Sequence, residues 1–210
     1  LDLLKYNRIV EQRNILLKKI RDESVKATEL DLWDIQLAFA AEKVLSKRLS
    51  SVRKLNFLAN SAQQKISSQN ENLSIVYEMR GLDSRMDIAE NFLDLLRARR
   101  ADDVRSGSTS KGPHRDDLKF FINGRELKVF GSQGQLRTVA LALKLSELQF
   151  LKSETGEYPL LLLDDVMSEL DAKRREMLLD FLRREEIQTL ITATDRAYYP
   201  PQSFGEFFLV

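Results

Sequence analysis

The sequence predicts an α/β protein, α+β overall, in which a long-helix arm precedes a smaller lobe of strands and helices. Three observations carry this. Residues 1–105 contain no proline and a single glycine, Gly81, whereas residues 106–210 hold all four prolines and seven of the eight glycines. These residues mark turns and element ends, so the first half reads as long helices and the second as short mixed elements. An apolar stripe at helical spacing runs through about forty residues of the first half. In the second half, two wholly apolar runs flank a helical stretch, the pattern of a strand–helix–strand crossover.

Along the chain, Leu3, Tyr6, Val10, Leu17 and Ile20 recur at three- and four-residue intervals and predict a first helix. From Thr28 to Ser67, Ala38, Ala41, Val44, Leu45, Leu49, Val52, Leu55, Ala59, Ala62 and Ile66 share one face. Thr28 is the expected N-cap, with Asp31 three residues on. Such a rod, roughly 60 Å long, must lie against other helices. Trp33 and Phe39 are expected in the core. Leu73, Ile75 and Tyr77 alternate as a short strand, after which Asp83 or Ser84 caps a helix to about Arg100. Ser106–Gly112 is turn-rich and could hinge the two halves. Leu118, Phe120 and Ile122 alternate, Asn123-Gly124 signals a two-residue hairpin, and Leu127–Phe130 are expected to return antiparallel. A helix over Gly134–Leu151 follows. Then come strand Leu160–Leu163, helix Asp171–Arg184, strand Thr189–Ala193 and strand Phe207–Val210. The domain division expected is 1–105, a mainly helical arm, and 106–210, a C-terminal lobe.

Composition excludes several chemistries. The 210 residues allow one or two domains. The longest apolar run, six residues around Tyr158–Leu163, is far below the roughly 18 of a membrane span. There is no cysteine, so disulfides, thiolate catalysis and cysteine zinc sites are ruled out, which fits a reducing cytoplasm. A single histidine, His114, excludes a histidine-rich metal centre. The net charge of +1 neither demands nor forbids nucleic acid. The chain starts at Leu1 and ends on Phe207-Phe208-Leu209-Val210, and is expected to be a piece of a longer protein.

The strongest chemical signal is Leu160-Leu-Leu-Leu163-Asp164-Asp165. Four apolar residues predict a buried strand, and two carboxylates stand at its C-terminal end, where open α/β sheets bind ligands. Adjacent carboxylates repel unless a cation or shared proton relieves them, and Mg²⁺ suits one or two carboxylates plus phosphates. Read alone, the pair is equally compatible with a solvated strand end. Ser168-Glu169-Leu170-Asp171 opens the next helix, and either Ser168 or Asp171 reads as an ordinary N-cap. Gly131-Ser132-Gln133-Gly134-Gln135-Leu136-Arg137 precedes a long helix whose N-terminal N–H groups could seat a phosphate, though a turn and cap explain it as well. On the long helix, Lys43, Lys47, Lys54 and Lys65 fall within about 40° of one another opposite the apolar stripe. This is either a solvated face or a track for a phosphate backbone. His114 is expected to bond a neighbouring carboxylate in a structural role, and Arg115 to meet phosphate or an acidic partner.

In this order the motifs resemble the C-terminal lobe of an ABC-type ATPase head, of the SMC-like kind found in bacterial DNA recombinational repair. Gly112-Pro-His-Arg-Asp-Asp117, Tyr6–Leu17 and Leu32-Trp33-Asp34-x-Gln36-Leu37 extend the resemblance over nearly the whole chain. It implies that Asp164 binds Mg²⁺ and that Asp165 replaces the usual water-orienting glutamate, with slow turnover. It implies that Ser132, Gln133, Gly134 and Gln135 form the signature reaching the γ-phosphate of ATP on the opposite subunit, and that Asp171 lies at that interface. Thr192 or Thr194 takes the place of the switch histidine. The implied partners are a second copy of the chain, double-stranded DNA, single-strand/double-strand junctions and the protein RecR, in a cytoplasmic system that loads a recombinase. No G-x-x-x-x-G-K-[ST] occurs in the sequence. The phosphate-binding loop is therefore expected upstream, and this piece alone is expected to be inactive. The competing readings are the head of another SMC-like ATPase, disfavoured by the strand-like break at Leu73–Tyr77, and a non-enzymatic helical binding module.

Overall fold

A computed structural model describes residues 1–67, 71–82, 87–195 and 198. The order of elements is α1 (Asp2–Arg21), a 3₁₀ turn at Ala27–Glu29, α2 (Leu30–Ile66), β1 (Leu73–Glu78), α3 (Ile88–Ser106), β2 (Asp117–Ile122), β3 (Arg125–Glu126), α4 (Leu127–Phe130), α5 (Gln133–Thr155), β4 (Leu161–Leu163), α6 (Val166–Glu169), α7 (Ala172–Arg184) and β5 (Thr189–Ile191). The strands form a three-stranded sheet, β1-β2-β3, and a separate parallel pair, β4-β5.

The chain divides into two compact units, Leu1–Arg53 with Ile75–Lys119, and Lys54–Ser74 with Phe120–Val210. It passes from one to the other within α2, within β1 and within β2. The boundary expected at 105/106 falls inside the first unit.

In the first unit, Tyr6, Ile9 and Val10 of α1 pack with Leu37, Ala41, Val44 and Leu45 of α2 and with Phe92 and Leu96 of α3. Tyr6, Leu37, Phe92 and Leu96 have no exposed surface, and truncating Phe92 to alanine should cost about 3–5 kcal/mol. A charged group sits in the same interior. Arg13, wholly buried, donates Nε to Asp34 Oδ1 at 2.7 Å and Nη1 to Asp103 Oδ2 and Thr109 Oγ1, each at 2.8 Å. Arg100 donates to Asp34 Oδ2 at 2.6 Å and Asp31 Oδ1 at 2.7 Å. One guanidinium, that of Arg13, thereby ties α1, α2, α3 and the loop after α3 together.

That loop is pinned, where the sequence suggested a hinge. The Thr109 amide donates to Asn14 Oδ1 at 2.7 Å and the Ser110 amide to Asp103 Oδ1 at 3.0 Å. Gly112 adopts φ +126°, and a Cβ there would lie 2.5 Å from Tyr6 Oη and 2.8 Å from Phe92. Glycine alone fits such a contact.

In the second unit, Ala62 and Ile66 of α2, Leu141, Ala142, Leu145 and Leu148 of α5, Leu161 and Leu163 of β4, and Leu178 and Leu182 of α7 form the core. β4 and β5 pair Leu161 with Thr189, Leu162 with Leu190 and Leu163 with Ile191. The expectation of strands buried on both faces is corrected here. Leu160, Leu162 and Leu190 are 51%, 67% and 58% exposed, so only the face bearing Leu161 and Leu163 packs on helices.

Other expectations are corrected locally. Thr28 lies in the 3₁₀ turn and α2 begins at Leu30. α3 is capped by Asp87, whose side chain accepts from the Glu90 amide, and it runs on to Ser106; the expected caps Asp83 and Ser84 lie outside the described residues. Asn123 and Gly124 make the hairpin turn, both at positive φ, between Ile122 and Arg125. The returning strand is only Arg125–Glu126, and Leu127–Phe130 form a helical turn instead. The strand expected at Phe207–Val210 lies outside the described residues.

Candidate functional site

Burial of Leu161 and Leu163 draws β4 onto the core and leaves Asp164 exposed at its C-terminal rim. Parallel pairing then sets the end of β5 beside it, the Thr192 amide donating to Leu163 O at 2.9 Å. Thr192 Oγ1 donates to Asp164 Oδ1 at 2.6 Å and accepts from the Asp165 amide at 3.0 Å. A hydroxyl carries one proton, and here it points at the carboxylate. Asp165 has φ +47°, uncommon away from glycine, because the chain turns straight from the strand into α6. Ser168 Oγ lies 2.9 Å from Asp165 O and 3.0 Å from its Oδ2. The other oxygen, Asp165 Oδ1, is buried with no hydrogen-bond partner among the described residues.

An orphaned carboxylate oxygen is costly unless a donor or cation reaches it. With exposed Asp164 alongside, the donor set fits Mg²⁺ that takes its remaining ligands from phosphate and water. Among the described residues no group of three or more metal-binding side chains gathers, so these acids form no closed protein cage.

The segment Gly131–Arg137 is built as a helix start. Ser132 caps α5: its Oγ accepts from the Gln135 amide at 3.2 Å, and its own amide donates to Gln135 Oε1 at 2.9 Å, a reciprocal capping box. Ser132 and Gln133 are exposed, and Gly134 and Gln135 half-buried. Thr138 Oγ1 donates to Gly134 O at 2.7 Å. Arg137 donates to Glu169 O at 3.2 Å, linking this segment to the residues that follow the acids. Asp171 caps α7, accepting from the Arg174 amide at 2.9 Å. That bond, and then the Arg174 guanidinium, hold the carboxyl below the usual range. Ser132 and Asp171 are therefore both caps and both exposed, so the two readings of each residue are compatible.

Sequence reasoning gave Ser168 only as a possible N-cap, without its bonds to Asp165, and overlooked Glu71. Glu71 accepts from Gln135 Nε2 at 2.7 Å. The two are distant in sequence, and no periodicity links them.

The four lysines are all exposed. Lys47 pairs with Asp2 at 2.6 Å, and Lys54 pairs with Glu154 at 2.6 Å while lying 5.8 Å over the Phe150 ring. Exposed pairs of this kind are worth at most about 1 kcal/mol and yield readily to a competing anion. Phe39, expected in the core, is 58% exposed and lines a groove of about 230 Å³ with Ile9 and Ala40. Trp33 is half-buried and packs against two apolar clusters of the first unit.

His114 corrects another expectation, since among the described residues it bonds no carboxylate. Its Nε2 lies 3.1 Å from Thr109 O, which can only accept, so that nitrogen carries the proton and Nδ1 accepts from Tyr6 Oη at 2.6 Å. Loss of hydration lowers its pKa. The nearby Asp116 instead takes Tyr77 Oη at 2.9 Å and the Arg80 amide at 3.1 Å. Arg115 is exposed.

A parallel strand ending in two acids and a helix opened by Ser-x-Gly-Gln are features of the ABC-type ATPase fold. The chain is 41% identical over 205 residues to the DNA replication and repair protein RecF of Heliobacterium modesticaldum, covering 97% of this chain and 55% of that one. It is 44% identical over 200 residues to RecF of Halothermothrix orenii, covering 92% and 53%. Among solved structures, the recombination mediator protein RecF with ATP, of the RecFOR pathway, matches with TM-score 0.83 at 38% identity over 93% of this chain and 52% of that chain. The ATPγS form matches with TM-score 0.82 at 39% identity over 93% and 53%. No family model matches. The chain belongs to the RecF family. It spans about half the length of the curated relatives it matches.

Proposed function

We propose that this chain supplies part of a split ATP site in a recombination mediator that acts in DNA replication and repair. The observation that carries the reading is the rim of β4. There Asp164 is oriented by Thr192, and Asp165 keeps one buried oxygen without a partner among the described residues.

In this reading Asp164 holds Mg²⁺ and Asp165 orients the attacking water. Bound Mg²⁺ would supply charge neutralisation on the phosphates. The Asp165 carboxylate sits one methylene closer to the backbone than a glutamate's, so turnover is slow. Ser132 and Gly134, with Gln133 and Gln135 behind them, present the α5 N-terminus to the γ-phosphate of ATP held by a second copy, and Asp171 lies at that contact. Thr194, exposed beyond β5, is the remaining candidate for γ-phosphate sensing, since the proton of Thr192 is already directed at Asp164. Residues outside this sequence supply the phosphate loop, and the second unit, with Lys54–Ser74 and Phe120–Val210, forms the lobe that meets it. ATP acts mainly as a switch for dimerisation on duplex DNA and at single-strand/double-strand junctions, with RecR as partner, in the cytoplasm.

The test is Asp164→Ala in the whole protein. ATP-driven dimerisation, followed by sedimentation at saturating Mg·ATP, should be lost; unchanged dimerisation would end the reading. A lysine stripe on DNA is a second, separable element. Changing Lys43, Lys47 and Lys54 to Glu should weaken duplex binding and flatten its salt slope by about 0.9 for each phosphate no longer neutralised, and Lys65→Glu should act in the same direction. Unaltered affinity and slope would exclude it.

A further inference from the structure

We infer that Glu71 is a positioning residue for the signature serine, coupling the end of α2 to the start of α5. The inference rests on the reading of Ser132–Gln135 as the segment that meets ATP across the dimer. Glu71 is 5% exposed, yet its three donors among the described residues are all neutral. Gln63 Nε2 and Ser67 Oγ bond Oε2 at 2.9 and 3.1 Å, and Gln135 Nε2 bonds Oε1 at 2.7 Å. A buried carboxylate needs such donors, and removing the carboxylate leaves them unpaired.

The direction of each bond is fixed by what each group can do. Carboxylate oxygens only accept, so Gln135 turns its –NH₂ toward Glu71 and its carbonyl toward the Ser132 amide, 2.9 Å away. Ser132 Oγ accepts from the Gln135 amide, which leaves its hydroxyl proton for an acceptor outside the helix. Glu71 thus determines which way the Gln135 amide faces, and Gln135 determines where Ser132 presents its proton. Because Gln63 and Ser67 lie at the end of α2, a shift of that end moves the serine.

The experiment compares E71Q, the exchange E71Q/Q135E, and S132A in the whole protein. Each is read for ATP-driven dimerisation, for ATP affinity of the monomer and for melting temperature. In E71Q the new amide keeps its carbonyl for the two donors Gln63 and Ser67 and turns its –NH₂ against that of Gln135, and dimerisation should weaken by about tenfold with monomer affinity unchanged. The exchange restores the bond with reversed polarity, an amide at position 71 donating to a carboxylate at position 135, and should recover dimerisation to within about threefold. A residue that only filled space would show no recovery on exchange. If S132A is impaired while E71Q dimerises as wild type, or the exchange fails to recover, the Glu71 inference is overturned and the split site stands. If S132A also dimerises normally, both are overturned.

Discussion

Thr192 directs its hydroxyl proton at Asp164, 2.6 Å away, and takes the Asp165 amide proton on the same oxygen. One side chain at the end of β5 therefore sets both acids at the end of β4. In many ABC-type ATPases a histidine stands near this point; here the side chain faces the acids.

Replacing Thr192 by valine keeps the shape and removes both bonds. Mg²⁺-dependent ATP binding by the whole protein should weaken about tenfold, while Thr192→Ser should stay within about threefold. Titration calorimetry in Mg²⁺ and in EDTA checks this. Equal binding by T192V and wild type in Mg²⁺ would remove the role assigned to the hydroxyl.

Asp165→Asn keeps the size of the side chain and removes its charge. Hydrolysis should fall by about 10²-fold or more, with ATP-driven dimerisation retained. Steady-state phosphate release and sedimentation, run on one preparation, separate the two. Undiminished turnover would place the water-orienting group elsewhere.

Arg13 makes a stability prediction. It is fully buried between Asp34 and Asp103, and Arg13→Ala leaves two buried carboxylates without that partner. Denaturant unfolding should report a loss of about 3–5 kcal/mol. Arg13→Met, which preserves volume, should fare no better, because the charges left behind cause the loss.

His114 makes a pH prediction. Its folded pKa lies below the ordinary 6.5 because the ring is partly dehydrated, so the unfolded chain binds the proton more readily. Its contribution is then complete above about pH 6.5 and is lost as pH falls through the lowered folded value. Protonation also makes Nδ1 a donor, so Tyr6 Oη must turn its own proton away and accept instead. The melting temperature should drop between pH 7 and 5, and His114→Gln should flatten that part of the drop. An identical pH profile in the variant would remove the histidine as the cause.

Elements set by local pattern were legible in advance: the stripe from Ala38 to Ile66, the Asn123-Gly124 turn, the cap at Asp171 and the acids after Leu163. What escaped depends on distant partners. Phe39 is expected in the core as a large apolar residue, yet by period it lies opposite the apolar stripe of α2, and its ring is left largely exposed. Leu162 and Leu190 look like core, and their exposure follows from what does and does not pack on one face of two strands. Glu71 carries no motif and acquires its role only when Gln135 folds against it. Leu127–Phe130 are apolar enough for a strand, but the hairpin closes after two residues and the chain takes one helical turn before Ser132.

Because α2, β1 and β2 each begin in one body and finish in the other, no single scission releases either. A protease cut between residues 105 and 106 would leave two polypeptides, neither holding all of one body. The helix that carries the lysines thus belongs to both bodies at once, and a graft of either body onto another protein would need several chain junctions.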